Sequence, residues 1–119
     1  MTGKSVLIVD DNDDIREVLE MVLEQEGYVV SQACNGHEAL SMAARAMPDL
    51  ILLDMKMPVM NGWEFAAALR RAHPLRAPIV VLSAAEDARR RAAEIGAQGW
   101  VGKPFDLNDL LAAVRRNLT

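Results

Sequence analysis

Five short apolar runs alternate along the chain with stretches in which apolar residues recur every three or four positions. A brief, nearly continuous apolar run reads as a strand covered on both faces, and the wider spacing reads as a helix with one apolar stripe. The strands are expected at Ser5 to Asp10, Tyr28 to Ala33, Asp49 to Asp54, Pro78 to Ser83 and Gly99 to Gly102. The first helix carries Ile15, Val18, Leu19, Val22 and Leu23 on one stripe and stops at Gly27. The second runs from Asn35 to Met47 and is closed by Pro48, and the third runs from Trp63 to His73 with Phe65, Ala66 and Leu69 inward. The fourth covers Glu86 to Ile95, and the last covers Asp106 to Leu118 with Leu107, Leu110, Leu111, Val114 and Leu118 on one face. Strands and helices in strict alternation predict an α/β fold, a five-stranded parallel sheet with helices on both faces. Right-handed crossovers make the doubly wound strand order 2-1-3-4-5 the natural one at this size.

A chain of 119 residues supports one core, so a single domain over residues 1–119 is expected. With 51% hydrophobic residues it is too apolar for a disordered segment. Its apolar runs, such as Leu50 to Leu53 and Pro78 to Leu82, fall far below the ~18 residues that span a bilayer. Met1-Thr2-Gly3-Lys4-Ser5 leads straight into a strand without a secretory leader, so a water-soluble cytoplasmic protein with no membrane contact is expected. The lone Cys34 excludes an internal disulfide and a multi-cysteine metal site. The net charge of −4 argues against direct nucleic-acid binding, which rests on a basic surface. That charge is uneven: residues 1–60 hold 11 acids and 4 bases, and residues 61–119 hold 6 acids and 9 bases. One region therefore collects carboxylates and another presents arginines.

In a doubly wound sheet, ligands bind beyond the carboxyl ends of the strands, where the strand order reverses. Those ends carry Asp10 and Asp11 after the first strand, Asp54 after the third, Ser83 after the fourth and Lys103 after the fifth. Two carboxylates ~4 Å apart repel by ~4 kcal/mol at an effective dielectric of about 20, so three together want a cation. A few hard oxygen donors suit Mg²⁺, which keeps several waters and takes one or two carboxylates with a phosphate oxygen. Most of these positions also have a local explanation. Asp11, Asn12 and Asp13 lie where a helix N-cap is wanted. Asp54 suits the turn through Met55-Lys56-Met57-Pro58, Ser83-Ala84-Ala85-Glu86 has capping-box spacing, and Lys103 fits an ordinary solvated lysine. Asp10 is different, because an acid that closes a buried strand needs a partner. No local explanation covers the placement of all five at the ends of strands one, three, four and five.

The segments VLIVDDN on the first strand, DMKMPVMNG at 54–62, LSA at 82–84 and WVGKPF at 100–105 resemble the receiver domain of two-component response regulators. The likeness covers essentially the whole chain. It implies a flavodoxin-like (βα)5 fold and a phosphoacceptor signalling switch, which catalyses only its own Mg²⁺-dependent phosphorylation and dephosphorylation. By this resemblance Asp54 accepts a phosphoryl group from a phosphohistidine of a histidine kinase or histidine phosphotransfer protein. Asp11 and Asp54 match direct Mg²⁺ ligands, Asp10 a ligand acting through water, and the main-chain carbonyl of Lys56 a further metal oxygen. Lys103 matches the residue that contacts a phosphoryl oxygen, and Ser83 the hydroxyl that bonds to the phosphate once it is present. The Lys103–Pro104 bond falls at a position usually cis in the family. Trp100 stands where a tyrosine or phenylalanine is usual and forms, with Ser83, the expected switch. Its indole either rotates inward on activation or serves as a partly exposed anchor. The fourth helix, fifth strand and fifth helix are the surface expected to meet a downstream protein or output domain. Arg89, Arg90 and Arg91 lie on that surface and cannot all share one helix face, so at least one points outward. Lys56 and Ala85, two residues after Asp54 and Ser83, flank the phosphoryl group with opposing effects and fix no lifetime.

Other classes fit less well. A haloacid-dehalogenase phosphatase wants a second aspartate two residues after its nucleophile, where Lys56 stands. An FMN carrier cradles phosphate in its first loop, but Asp10-Asp11-Asn12-Asp13-Asp14 repels it. Gly3-Lys4-Ser5 lacks the earlier glycine of a P-loop and precedes a strand instead of a helix. The acidic run has no glycine at the sixth position of an EF-hand loop. The remaining alternative is a degenerate receiver that acts as a phosphorylation-independent interaction module.

Overall fold

The computed structural model describes residues 3–74 and 77–118; Met1, Thr2 and Thr119 of the expected single domain lie outside the described residues. Strands β1 (Ser5–Val9), β2 (Val29–Ala33), β3 (Leu50–Asp54), β4 (Ile79–Ala84) and β5 (Gly99–Lys103) form one parallel sheet in the order β2-β1-β3-β4-β5. Helices α1 (Asp13–Gln25), α2 (Gly36–Arg45), α3 (Gly62–Ala72), α4 (Ala88–Ile95) and α5 (Leu107–Arg116) connect and follow them. This is the flavodoxin-like (βα)5 arrangement that the alternation predicts.

The period of two along each strand divides the core. Val6, Ile8, Leu50, Leu52, Val80 and Leu82 face Leu19 and Leu23 of α1 and Leu110, Ala113 and Val114 of α5. Leu7, Val9, Ile51, Leu53, Ile79 and Val81 face α2, α3 and α4 through Ala39, Ala43, Phe65, Leu69, Ala92 and Ile95. Strand β3 lies at the centre and is buried along its whole length. The edge strands are not covered in this way: Val29 of β2 and Trp100 of β5 reach solvent.

Four of the five helix starts, all but that of α4, are set by side-chain caps, which shifts several of them from the positions read by periodicity. Asn12 caps α1 by accepting from the Ile15 N–H at 3.1 Å, and Asn35 caps α2 by accepting from the Glu38 N–H at 2.8 Å. Asn61 and Glu64 form a reciprocal capping box, with bonds of 2.9 and 3.0 Å, that starts α3 at Gly62. The local alternative for Ser83, a capping box with Glu86, is not adopted, since the residue before α4 is Asp87. Ser83 lies inside β4, the Ala85 N–H donates to the Lys103 carbonyl at 3.1 Å, and α4 begins only at Ala88. One more ladder bond to β5 keeps the chain extended past the point where the sequence signature places a helix.

Two apolar stripes are narrower than expected. On α1 only Leu19 and Leu23 are buried while Val18 is exposed, and on α5 Leu107 is exposed while Ala113 replaces it in the core.

The turn after β3 contains a strained residue. Val59 has φ 68° and is 79% exposed, and the Met60 N–H donates to the Pro58 carbonyl at 2.7 Å, closing a three-residue turn around it. A β-branched residue in the left-handed region costs on the order of 1–2 kcal/mol. Asparagine tolerates that region. Val59→Asn is therefore expected to raise stability by ~1 kcal/mol, read as a higher urea midpoint with an unchanged m-value.

Candidate functional site

The parallel register brings the carboxyl ends of β1, β3, β4 and β5 to one rim. Asp10 follows β1, Asp54 ends β3 opposite Leu82, Ser83 lies one residue further along β4, and Lys103 ends β5. Carboxylate oxygens of Asp10, Asp11 and Asp54 all lie within 4.8 Å of one another. Asp10 is 1% exposed and Asp54 8% exposed, whereas Asp11 faces solvent. The Lys103 ammonium stands 3.0 Å from Asp10 Oδ2 and 3.7 Å from Asp54 Oδ1. A single cation thus neutralises two buried acids. The Asp10 side chain also accepts from the Asn12 N–H at 2.9 Å, which supplies the partner that an acid at the end of a buried strand requires.

Burial pushes the Asp54 carboxyl up to about 6 from 3.8, and the neighbouring Asp10 charge adds to that shift. Lys103 and the Lys56 N–H, which donates to Asp54 Oδ1 at 3.3 Å, hold it back from rising further. Ionised Asp54 is therefore poorly stabilised by its surroundings, and a cation or a covalent partner relieves it. Three hard oxygen donors at this spacing, two recessed and one open to water, fit a small divalent ion that retains part of its hydration shell.

The segment after Asp54 is fixed from two sides. A Cβ added to Gly62 would lie 2.6 Å from Met55 Sδ and 2.8 Å from Met55 Cα, so the start of α3 packs flush against the residue that follows β3 only with glycine there. The Gly62 N–H donates to the Met55 carbonyl at 3.0 Å, and the Gly36 N–H to the Met60 carbonyl at 3.1 Å. The Lys56 main chain is held at the rim while its side chain is exposed. The Lys103–Pro104 peptide is cis.

Trp100 lies outside this cluster, 48% exposed, with Arg89 6.0 Å from its ring centroid. Each of the three consecutive arginines has a different neighbour. Arg90 pairs with Asp87 at 2.6 Å and points outward, and Arg91 stacks 5.0 Å over Trp63 and contacts Glu94 at 3.4 Å. Trp63 Nε1 donates to Glu94 Oε1 at 3.0 Å, so α3 and α4 are joined by a side-chain triad that the sequence reading does not anticipate. That bond and Arg91 hold the Glu94 carboxyl below its ordinary value. Periodicity places Trp63 on α3 and Glu94 on α4, but nothing in either stripe pairs them. A second unanticipated feature is an apolar hollow of about 360 Å³ lined by Ile15, Val18, Pro104 and Phe105, with Lys103 and Asp14 at its margin.

A doubly wound sheet with an acidic triad and a lysine at its reversal point is suited to hold a divalent ion beside an anionic group. Residues 6–115 match the response regulator receiver domain, and the chain belongs to that family, the phosphoacceptor switches of two-component signalling. It is 38% identical over 118 residues to the phosphate regulon transcriptional regulatory protein PhoB of Pseudomonas aeruginosa, covering 97% of this chain and 52% of PhoB. It is 37% identical over 119 residues to sporulation initiation phosphotransferase F of Bacillus subtilis, covering 99% of this chain and 96% of that protein. Its fold matches that of response regulator protein TrrA from Thermotoga maritima, solved in complex with Mg(2+)-BeF, with a TM-score of 0.86 and 36% identity over 97% of this chain and 99% of that one. The chain spans about half the length of the transcriptional regulators it matches. Among the described residues, no helix is long and apolar enough to cross a membrane.

Proposed function

We propose that the chain acts as one receiver domain in which Asp54 accepts a phosphoryl group from a phosphohistidine in a Mg²⁺-dependent reaction. The convergence of Asp10, Asp11 and Asp54 within 4.8 Å, with Lys103 bridging two of them, carries this reading. One Asp54 oxygen attacks phosphorus as the P–N bond breaks; the bonding pair stays with the imidazole nitrogen, and an acyl phosphate remains on Asp54. With its pKa near 6, Asp54 is mostly ionised at neutral pH, and its burial leaves that carboxylate weakly solvated. Lys103 moves from the carboxylates toward a phosphoryl oxygen, and Ser83 donates its hydroxyl to another. Asp11, Asp54, Asp10 through water and the Lys56 carbonyl would hold Mg²⁺, which supplies charge neutralisation to a transfer governed by positioning and electrostatics.

A donor must bring its imidazole to the rim. The hollow between α1 and the β5–α5 turn shares Lys103 with the crevice, so it is the seat proposed for the histidine kinase or histidine phosphotransfer protein. The phosphoryl group adds roughly two charges and three acceptor oxygens. Ser83 is drawn toward it, and the α4–β5–α5 face bearing Trp100 and Arg89 changes to meet a downstream protein or output domain.

Incubation with acetyl phosphate and Mg²⁺ is expected to add the mass of one phosphoryl group, and Asp54→Ala abolishes the gain. No gain, or one that persists in the variant, refutes the proposal and leaves the interaction-module alternative.

A further inference from the structure

Arg16 closes the first turn of α1, yet its side chain is only 12% exposed. Its guanidinium forks onto three elements. Nε donates to Gln32 Oε1 on edge strand β2 at 3.0 Å, one Nη donates to the main-chain carbonyl of Asp10 at 2.6 Å, and the other donates to the Asp13 carboxylate. Gln32 in turn donates to Glu20, one turn further along α1. A cation that directs two of its donors to a carbonyl and an amide is not accounted for by charge pairing. Through this contact Asp10 is fixed at four atoms. Its N–H donates to the Ala33 carbonyl at 3.2 Å, its carbonyl accepts from Arg16, and its two carboxylate oxygens accept from Asn12 and Lys103.

We propose that Arg16 is a positioning residue for the acidic site. By clamping the Asp10 carbonyl between α1 and β2, it holds Asp10 and Asp11 at the spacing from Asp54 that a divalent ion requires. This rests on the Mg²⁺-dependent reading above. A planar fork with fixed donor directions suits such a role, and a single ammonium does not reproduce it. Charge alone predicts the opposite effect, because removing a cation that touches the Asp10 main chain, beside an acidic rim, makes the site more attractive to Mg²⁺. The sign of the change in affinity therefore separates positioning from simple electrostatics.

Urea unfolding of the full chain across a series of Mg²⁺ concentrations tests this without any assay of phosphorylation. The midpoint in EDTA reports stability, and its rise with Mg²⁺ reports affinity through mass action. Arg16→Met and Arg16→Lys are both expected to weaken Mg²⁺ binding by roughly tenfold, as loss of a residue that orients a metal ligand does. Gln32→Leu keeps the arginine charge and releases one arm of the fork, so it weakens binding in the same direction by less. It also carries the test if the Arg16 variants do not fold. Unchanged or tighter binding in Arg16→Met, or wild-type affinity in Arg16→Lys, overturns the proposal; where the Arg16 variants do not fold, unchanged or tighter binding in Gln32→Leu does so. A lower EDTA midpoint with unaltered Mg²⁺ affinity assigns Arg16 a purely structural role and also overturns it. A wild-type midpoint that ignores Mg²⁺ removes the reading of the site itself, and this inference with it.

Discussion

Asp54→Asn is expected to stabilise the metal-free protein at neutral pH by about 2 kcal/mol, while ending phosphoryl uptake. The folded-state pKa of Asp54 is about 6 against 3.8 for the unfolded group. Between those values the folded protein holds a proton that the unfolded chain has lost, so stability falls as the pH rises through that window and stays low above it. Two units correspond to roughly 3 kcal/mol, of which asparagine recovers most but not all, because its amide must itself be hydrogen-bonded. The difference between wild type and variant should therefore be small near pH 4 and reach its full size above pH 6. Saturating Mg²⁺ should stabilise the wild type and narrow the gap. Urea midpoints in EDTA at pH 4.5, 5.5 and 7.5 measure this, and parallel pH profiles for the two proteins would count against it. The acidic rim is thus a place where stability is sacrificed, as expected where like charges are gathered for chemistry.

Lys103→Met should produce effects of opposite sign on metal and on transfer. In the free protein the ammonium occupies the electrostatic role of a divalent ion, 3.0 Å from Asp10 and 3.7 Å from Asp54. Its removal leaves Asp10 buried without a cation, which costs about 2 kcal/mol in EDTA, less than for a wholly buried pair because Lys103 is partly exposed. With no competing cation, Mg²⁺ binds more tightly and restores most of that loss. Transfer from acetyl phosphate, in contrast, is expected to slow by on the order of 100-fold, because the cationic donor to the developing phosphoryl charge is gone. Faster or unaltered transfer, or weaker Mg²⁺ binding, would show that Lys103 does not play both parts.

The strands and the five rim residues are legible in the sequence because each depends on a short-range signal, an apolar run, a turn, or a polar residue that ends a buried strand, and the strand order then follows from right-handed crossovers. Ser83 shows where such signals mislead. Its capping-box spacing is real, but the Ala85 N–H is taken by Lys103, a partner 18 positions away on β5. The Arg16–Gln32 and Trp63–Glu94 contacts are illegible for a related reason: they join residues 16 and 31 positions apart through long side chains whose direction no periodicity encodes. Val59 is hidden in another way, since a β-branched residue gives no hint of a left-handed backbone.

The fourth helix has a shallow keel. Of its eight residues only Ala88, Ala92 and Ile95 are buried, and two of those are alanines. Added to that small keel is a pair of indole berths on opposite flanks, Trp63 under Arg91 and Trp100 under Arg89, each worth about 0.5–1 kcal/mol. The first of these leaves Arg91 Nε dry and unbonded, so casting off lets that nitrogen regain water. A helix with so shallow a keel, steadied in part at its flanks, would yield to a load as small as the few charge-assisted bonds one phosphoryl group makes.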